Sequence, residues 1–426
     1  MQIHTETNTK NQFYDLANLP LDTASISQER LNIEDRQRTN LFPWNGQFSP
    51  QLIEVLLQEY SKPGAKVLDP FMGSGTVLYE AGRLGLSAFG SEINPAAFKF
   101  ARTYSLINST PQRRAKLISE LEVNLADLIH DNLPLFQKRT KFIPAQEGNF
   151  AATLLERYRA YNEKESKHLF EAFLLLLDFQ TKKLDSSRIK TIWNRFKETI
   201  LELPYSSPSI QVANCDARDL DLKNGEIDLV ITSPPYINVF NYHQQFRPSV
   251  EAMGWDLLEV ARSEIGSNRK HRGNRLLTVT QYILDMTQVL REVCRVCKTS
   301  SRIIYVVGRE SNVRKTRFLN GEIVANIATN ALGLRLDRRQ ERVFKNRFGA
   351  MIFEDILHFT HPPKQITDSL DISRNIAKHA LVSARLTAPK DCIPDFDAAI
   401  ESVNEVQPSP FYEASESRAK TEEKPR

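Results

Sequence analysis

The chain has 426 residues, 41% of them apolar and 25% charged, with 56 Lys and Arg against 52 Asp and Glu for a formal charge of +4. This is the composition of a folded globular protein, long enough for one large α/β domain with an insertion, and its mildly basic balance permits a polyanionic partner without demanding one. No apolar run reaches the roughly 18 residues of a membrane span, MQIHTETNTK lacks the apolar core of a secretory signal, and four cysteines make no disulfide framework, so a cytoplasmic protein is expected.

Residues 1–40 are polar and irregular and read as an arm or a loosely docked segment. In LFPWNGQFSPQLIEVLLQEY, Ser49 suits a helix cap, Pro50 the first helical position, and Leu52, Ile53, Leu56 and Leu57 one apolar face. AKVLDPF then reads as a buried strand, MGSGT as a loop, VLYEAGRLG as a helix closed by glycine, SAFGSEI as a strand ending at Glu92, and NPAAFKFARTYSL as the next helix. That alternation predicts half of a doubly wound, Rossmann-like sheet. Residues 111–207 are helical in pattern throughout and form an inserted subdomain.

Strand signals resume in SIQVANCDARDL, with Asp216 at its end, and in EIDLVITSPPY. A long basic loop, a helix over 279–296, the strand RIIYVVGRES, a helix over 320–330 and the strand pair LRLDRRQERV and MIFEDILHFT follow. The catalytic domain is thus expected over 41–110 and 208–361, two helices over 362–404, and a disordered tail over 405–426. Cys294 and Cys297 form a single CxxC on a predicted helix and read as apolar packing. The eight histidines show no metal-ligand spacing, so no metal is expected.

Two loops carry the chemistry. Gly73-Ser74-Gly75 lies between a strand and a helix, but Thr76, Val77 and Leu78 follow it, without the third glycine of a dinucleotide site. Asp69 and Asp216 put negative charge nearby, which suits a cationic ligand better than a diphosphate. TSPPY ends a strand in Pro234 and Pro235, which lack N–H groups and fix their backbone, giving a rigid corner of acceptors beside the ring of Tyr236.

DPFMGSGT and TSPPY resemble the cofactor and catalytic motifs of S-adenosylmethionine-dependent DNA amino-methyltransferases, the cytosine-N4 and adenine-N6 type, and GQFSP is similar to the segment before their cofactor loop. The resemblance covers roughly 41–110 and 208–361. It implies S-adenosyl-L-methionine as cofactor, held by Phe48 at the methionine end and by Asp69, Phe71, Gly73, Ser74, Gly75 and Thr76 around the loop. Glu92 would take the ribose hydroxyls and Asp216 the adenine amine.

At the corner, the Ser233 hydroxyl and the Pro234 carbonyl would accept the hydrogens of an exocyclic base amine and aim its lone pair at the methyl donor, while Tyr236 stacks on the base and Pro235 stiffens the turn. No cysteine follows a proline, so the covalent carbon-5 cytosine route is not expected. Serine before the prolines goes with cytosine-N4 in that family, whereas GQFSP is reminiscent of its adenine-N6 members. An RNA guanine-N2 enzyme and a non-catalytic binding module on the same fold are the remaining alternatives. A duplex partner requires base flipping, and the aromatic-rich loop NVFNYHQQFRP suits a base pocket, with His243 either orienting the base or lying on the surface. Arg262, Arg269, Lys270, Arg272 and Arg275, and then Arg314, Lys315 and Arg317, are expected on the catalytic rim as phosphate contacts. The expected partner is duplex DNA, and a restriction-modification role would add a cognate restriction endonuclease.

Overall fold

The computed structural model describes residues 13–413 except 36, 130–149, 181, 238–240, 268–270, 347 and 362–368. In chain order, α1 (Gln28–Asn32), α2 (Pro50–Tyr60), β1 (Lys66–Asp69), α3 (Thr76–Arg83), β2 (Ser87–Ser91) and α4 (Pro95–Arg102) form the first half. The insertion is α5 (Pro111–Ile129), α6 (Phe150–Ala160), α7 (Lys164–Leu177) and α8 (Ser186–Leu201). Next come β3 (Ile210–Ala213), β4 (Ile227–Thr232), α9 (Arg247–Ala252), α10 (Leu257–Ser263), α11 (Leu277–Val296) and β5 (Cys297–Gly308). A hairpin of β6 (Glu310–Val313) and β7 (Thr316–Leu319), then α12 (Asn320–Asn326), β8 (Arg335–Lys345), β9 (Met351–Thr360), α13 (Ser369–Arg385) and α14 (Ile393–Glu401) complete the described fold.

Seven strands make one sheet in the order β3-β2-β1-β4-β5-β9-β8. The first five run parallel, and β9 and β8 are antiparallel additions. Val67, Leu68, Leu229, Val230 and Ile231 are at most 1% exposed, so both faces of the central strands are covered and their sequence reads as continuous apolar runs. The chain moves outward from β1 through β2 to β3, then returns to place β4 on the other side of β1. That reversal opens a crevice beyond the carboxyl ends of β1 and β4, where open α/β sheets bind ligands. A Rossmann-like, mostly parallel sheet with an inserted set of helices is the architecture expected from the sequence.

Four expectations need correction. The described part of the amino-terminal arm, from residue 13, is firmly docked: Leu16, Ile26 and Leu31 are buried, the Arg339 guanidinium donates to the Leu16 carbonyl at 2.6 Å, and the Asp22 N–H donates to the Arg339 carbonyl at 2.8 Å, while residues 1–12 lie outside the described residues. Its few apolar residues suffice because they fall on β8. Asp216 does not end the third strand, which stops at Ala213; the acid lies in the turn after it. The segment that carries Arg314, Lys315 and Arg317 is not a plain loop on the rim, because β6 and β7 pair within it. Residues 405–413 of the expected disordered tail are placed and lie against α11 and the Asp216 turn, while 414–426 lie outside the described residues.

The insertion is a cover fused to the sheet. Lys99 of α4 and Glu171 of α7 form a 2.7 Å ion pair, both nearly buried, and the Tyr158 hydroxyl donates to Glu171 at 2.9 Å. Removing one partner of such a buried pair leaves an uncompensated charge, at a cost of about 3–5 kcal/mol. Leu117, Leu154, Phe173 and Trp193 share one core with Val67 and Ile231. Cys294 and Cys297 are buried in the opposite core, as expected, but only Cys294 is on the helix, since Cys297 begins β5.

Candidate active site

The crevice is a cleft of about 890 Å³, open solvent at its mouth included. Its floor is the β1–α3 loop. Asp69, 1% exposed, accepts the Thr232 hydroxyl at 2.6 Å and the Phe71 N–H at 3.1 Å, so one carboxyl fixes the end of β1, the loop after it and the end of β4. Burial raises this carboxyl to about 7 against the pull of those two donors. Gly75 has φ 92° and abuts the Tyr104 ring, where an added Cβ would lie 2.8 Å away. Only glycine lets α3 start there.

Phe48, Phe71, Gly73, Thr76, Glu92 and Asp216 line the cleft, as do Ser233 and Pro235. The two motifs, about 160 positions apart, therefore face one space. Asp69, Ser74 and Gly75 do not line it. They support the loop from behind, with the Ser74 hydroxyl donating to Gln47 at 2.7 Å, which corrects their expected role as direct contacts.

Glu92 accepts the Asn94 N–H at 2.8 Å and the Gly73 N–H at 3.1 Å, one on each oxygen. Each oxygen keeps a lone pair for a ligand hydroxyl. Asp216 departs from expectation: its oxygens already hold the Arg218 N–H, Nε and Nη2 and the Tyr412 N–H. A carboxylate with four donors has nothing left for an adenine amine, so Asp216 here anchors Arg218 rather than waiting for a ligand.

At the corner, Ser233 and Tyr236 share a hydroxyl–hydroxyl hydrogen bond of 3.2 Å. Pro234 is buried. The Tyr236 ring is not on the cleft wall. It fills a notch against Gly308, the last residue of β5, where an added Cβ would lie 2.8 Å from the ring. The expected stacking face thus belongs to other rings: Trp44 and Tyr242 both line the cleft and lie nearly parallel, 6.3 Å between centroids and 14° between planes.

Gln47 of GQFSP and Tyr242 of the aromatic-rich loop lie on the wall, and sequence reasoning missed Trp44 and Glu264 there. His243 is neither a surface residue nor a wall residue. It is 1% exposed, with Nδ1 2.5 Å from a Glu264 oxygen and its N–H donating to the other at 3.2 Å. It holds Glu264 in place.

The basic rim is only partly as expected. Arg262, Arg272 and Arg275 are exposed, and Arg269 and Lys270 lie outside the described residues. Arg314 pairs with Asp395, Lys315 with Asp391 at 3.6 Å and Arg317 with Glu310 at 2.6 Å. Arg314 and Lys315 thus reach carboxylates of the carboxyl-terminal segment and Arg317 one of its own hairpin, while the Lys315 and Arg317 side chains stay largely exposed.

Among the described residues the wall carries Glu92, Asp216 and Glu264 and no lysine, arginine or histidine. With the Asp216 charge met by Arg218, Glu92 and Glu264 give the described wall an acidic character that suits a cationic ligand with hydroxyls and an aromatic ring, as S-adenosylmethionine is. Among the described residues no group of His, Cys, Asp and Glu could hold a metal ion, and no helix is long and apolar enough to cross a membrane. Cys215 touches the cleft, but burial pushes its thiol up to about 12 and leaves no thiolate.

A family model described as DNA methylase, for N6 and N4 methyltransferases, matches residues 7–103. The chain is 21% identical to the type II methyltransferase M.MjaII of Methanocaldococcus jannaschii, over 67% of this chain and 75% of that one. It is also 21% identical to the type II methyltransferase M.BsoBI of Geobacillus stearothermophilus, over 55% and 57%. The crystal structure of an S-adenosylmethionine-dependent methyltransferase from Methanosarcina mazei aligns at 11% identity and a TM-score of 0.33, covering 72% of this chain and 98% of that one.

Proposed function

We propose that this chain, which belongs to the N6/N4 DNA methylase family, methylates the exocyclic amine of a base flipped from duplex DNA, with N4 of cytosine as the target. Serine at the corner supports cytosine: Ser233 lines the same cleft as the cofactor loop. S-adenosylmethionine would lie between Phe71 and Glu92, its ribose hydroxyls on Glu92, and when bound it supplies a methyl group on a sulfonium.

The chain's own residues position the acceptor. The Ser233 hydroxyl and the Pro234 carbonyl take the amine hydrogens and draw the nitrogen out of conjugation with the ring. Tyr236 sets the Ser233 hydroxyl through their shared hydrogen bond, and Asp69 holds the strand end beneath through Thr232. Trp44 and Tyr242 offer the base its aromatic walls. With the nitrogen so held, its lone pair would point to where the sulfonium methyl would be supplied, and the amine proton would pass to solvent. No strong general base is needed.

Adenine-N6 is the second reading, supported by Gly46, Gln47 and Phe48 of GQFSP lining the cleft. One experiment separates the readings: incubation with S-adenosylmethionine and mixed-sequence duplex DNA, digestion to nucleosides, and mass spectrometry. N4-methylcytosine is the expected product. N6-methyladenine would keep the corner and change the base, and the absence of any methylated nucleoside would overturn both. A cognate endonuclease and a cytoplasmic setting are part of the same proposal.

A further inference from the structure

The β8–β9 hairpin overhangs the catalytic edge of the sheet. Gly308, where β5 ends, pairs with Glu354, and the arms continue past it paired with each other from Val343–Phe353 to Lys345–Met351, braced at their base by the Arg309 N–H on the Phe353 carbonyl at 2.9 Å and by the Val343 N–H on the Asn32 side chain at 2.8 Å. At about 3.3 Å per residue the turn stands on the order of 15 Å beyond Gly308. Because Gly308 also backs the Tyr236 ring, the stem of this hairpin adjoins the catalytic corner.

Its tip is apolar and exposed. Phe348 is 78% exposed, Met351 49% and Phe353 41%, and the last two share a face of the strand. The turn is braced: the Asn346 side chain accepts the N–H groups of Phe348 at 2.9 Å and Ala350 at 3.0 Å, and the Asn346 N–H donates to the Ala350 carbonyl at 2.9 Å. Between residues 343 and 353 the sequence has a lysine, an arginine and no carboxylate. The Arg309 guanidinium lies over the Phe353 ring at 5.0 Å.

We propose that this hairpin is a wedge that enters duplex DNA beside the flipped base, with Phe348 leading into the space the base vacates. The inference rests on the duplex-DNA reading above. A base leaving the stack exposes the apolar faces of its neighbours, and a planar apolar side chain at a fixed distance from the pocket replaces it. A braced turn loses little freedom on insertion, and a tip with only cations meets a polyanion without repulsion.

The test is methyl transfer by the full chain to mixed-sequence duplex DNA and to the same DNA as separated strands. Phe348→Ala, at so exposed a position, leaves the fold intact. It is expected to slow transfer to duplex about tenfold or more while transfer to single strands stays within about twofold. Phe348→Trp is expected to restore the duplex rate, and its indole emission, taken as the difference from the parent chain, to be quenched by about half or more on adding duplex. An unchanged duplex rate, equal losses on both substrates, or no indole quenching each overturns the wedge. So does a parent dimer that Phe348→Ala turns into monomer, which would make the tip a contact between copies. Where single strands are no substrate, the quenching decides. If the parent chain methylates no DNA, the duplex reading falls and the wedge with it; an active parent with an indifferent Phe348→Ala sinks the wedge alone.

Discussion

Burial holds the Glu92 carboxyl up at about 7; the Asn94 and Gly73 N–H groups oppose the shift, and the charges of Asp69 and Glu264 add to it. The carboxylate is the form that accepts two ribose hydroxyls and favours a sulfonium nearby. Because the free protein keeps the proton below about 7, cofactor affinity is expected to be full near pH 8 and to weaken towards pH ~6, approaching tenfold per unit. Titration calorimetry with S-adenosylmethionine across that range checks it. Glu92→Gln should bind weakly at every pH, and a Gln variant as pH-dependent as the parent would remove Glu92 from the role. Glu92 was legible because it follows a strand directly, at the edge where ligands bind. Asp216 was misjudged for a physical reason: Arg218, two residues on, and Tyr412, nearly two hundred on, consume its lone pairs, and no local pattern shows such a claim. The His243–Glu264 pair was hidden likewise, its members 21 positions apart in a region without strand or helix periodicity.

Among the elements, β5 has a specific duty. Its last residue must be glycine, because the Tyr236 ring occupies the space of a side chain there. Gly308→Ala is expected to push the ring outward, break the Ser233 contact and lower kcat by about ten- to a hundredfold, with cofactor affinity within about threefold of the parent. Steady-state kinetics beside cofactor titration separates the two, and an unchanged kcat would show that Tyr236 does not set Ser233. The strands and the glycine loop were readable from apolar runs and turn residues. The β6–β7 hairpin was not, since its turn uses Arg314 at φ 51° and Lys315 at φ 61° instead of the Asn-Gly or Asp-Gly pair that marks such turns. The placement of those two cations was therefore misread along with the turn.

Taken whole, the molecule secures its cofactor half with a distant segment. The Arg218 guanidinium donates to the Ser409 carbonyl at 2.7 Å and the Pro410 carbonyl at 2.8 Å, and the Phe411 ring lies under it at 4.5 Å. The Tyr412 hydroxyl donates to Asn214 at 2.9 Å, and Asn214 donates to the Glu92 carbonyl at 2.7 Å. Hydrogen bonds to a charged group are worth about 1.5–3 kcal/mol each, so ending the chain at Glu405 is expected to lower Tm by several degrees and weaken S-adenosylmethionine binding about tenfold while far-ultraviolet circular dichroism stays unchanged. Full affinity in the shortened chain would reduce the segment to surface cover. This strap was read as disorder because its polar composition cannot fold alone; it is ordered by a buried arginine that composition does not reveal.

The strap also sets an order of events during synthesis. The loop, the acid and the corner have all been synthesised by residue 236, yet the Asp216 turn waits on residues 409–412 to close over it. A growing chain therefore carries both motifs well before the residues that brace the Asp216 turn exist, and translation must run nearly two hundred codons past the corner before the cleft can take its final shape.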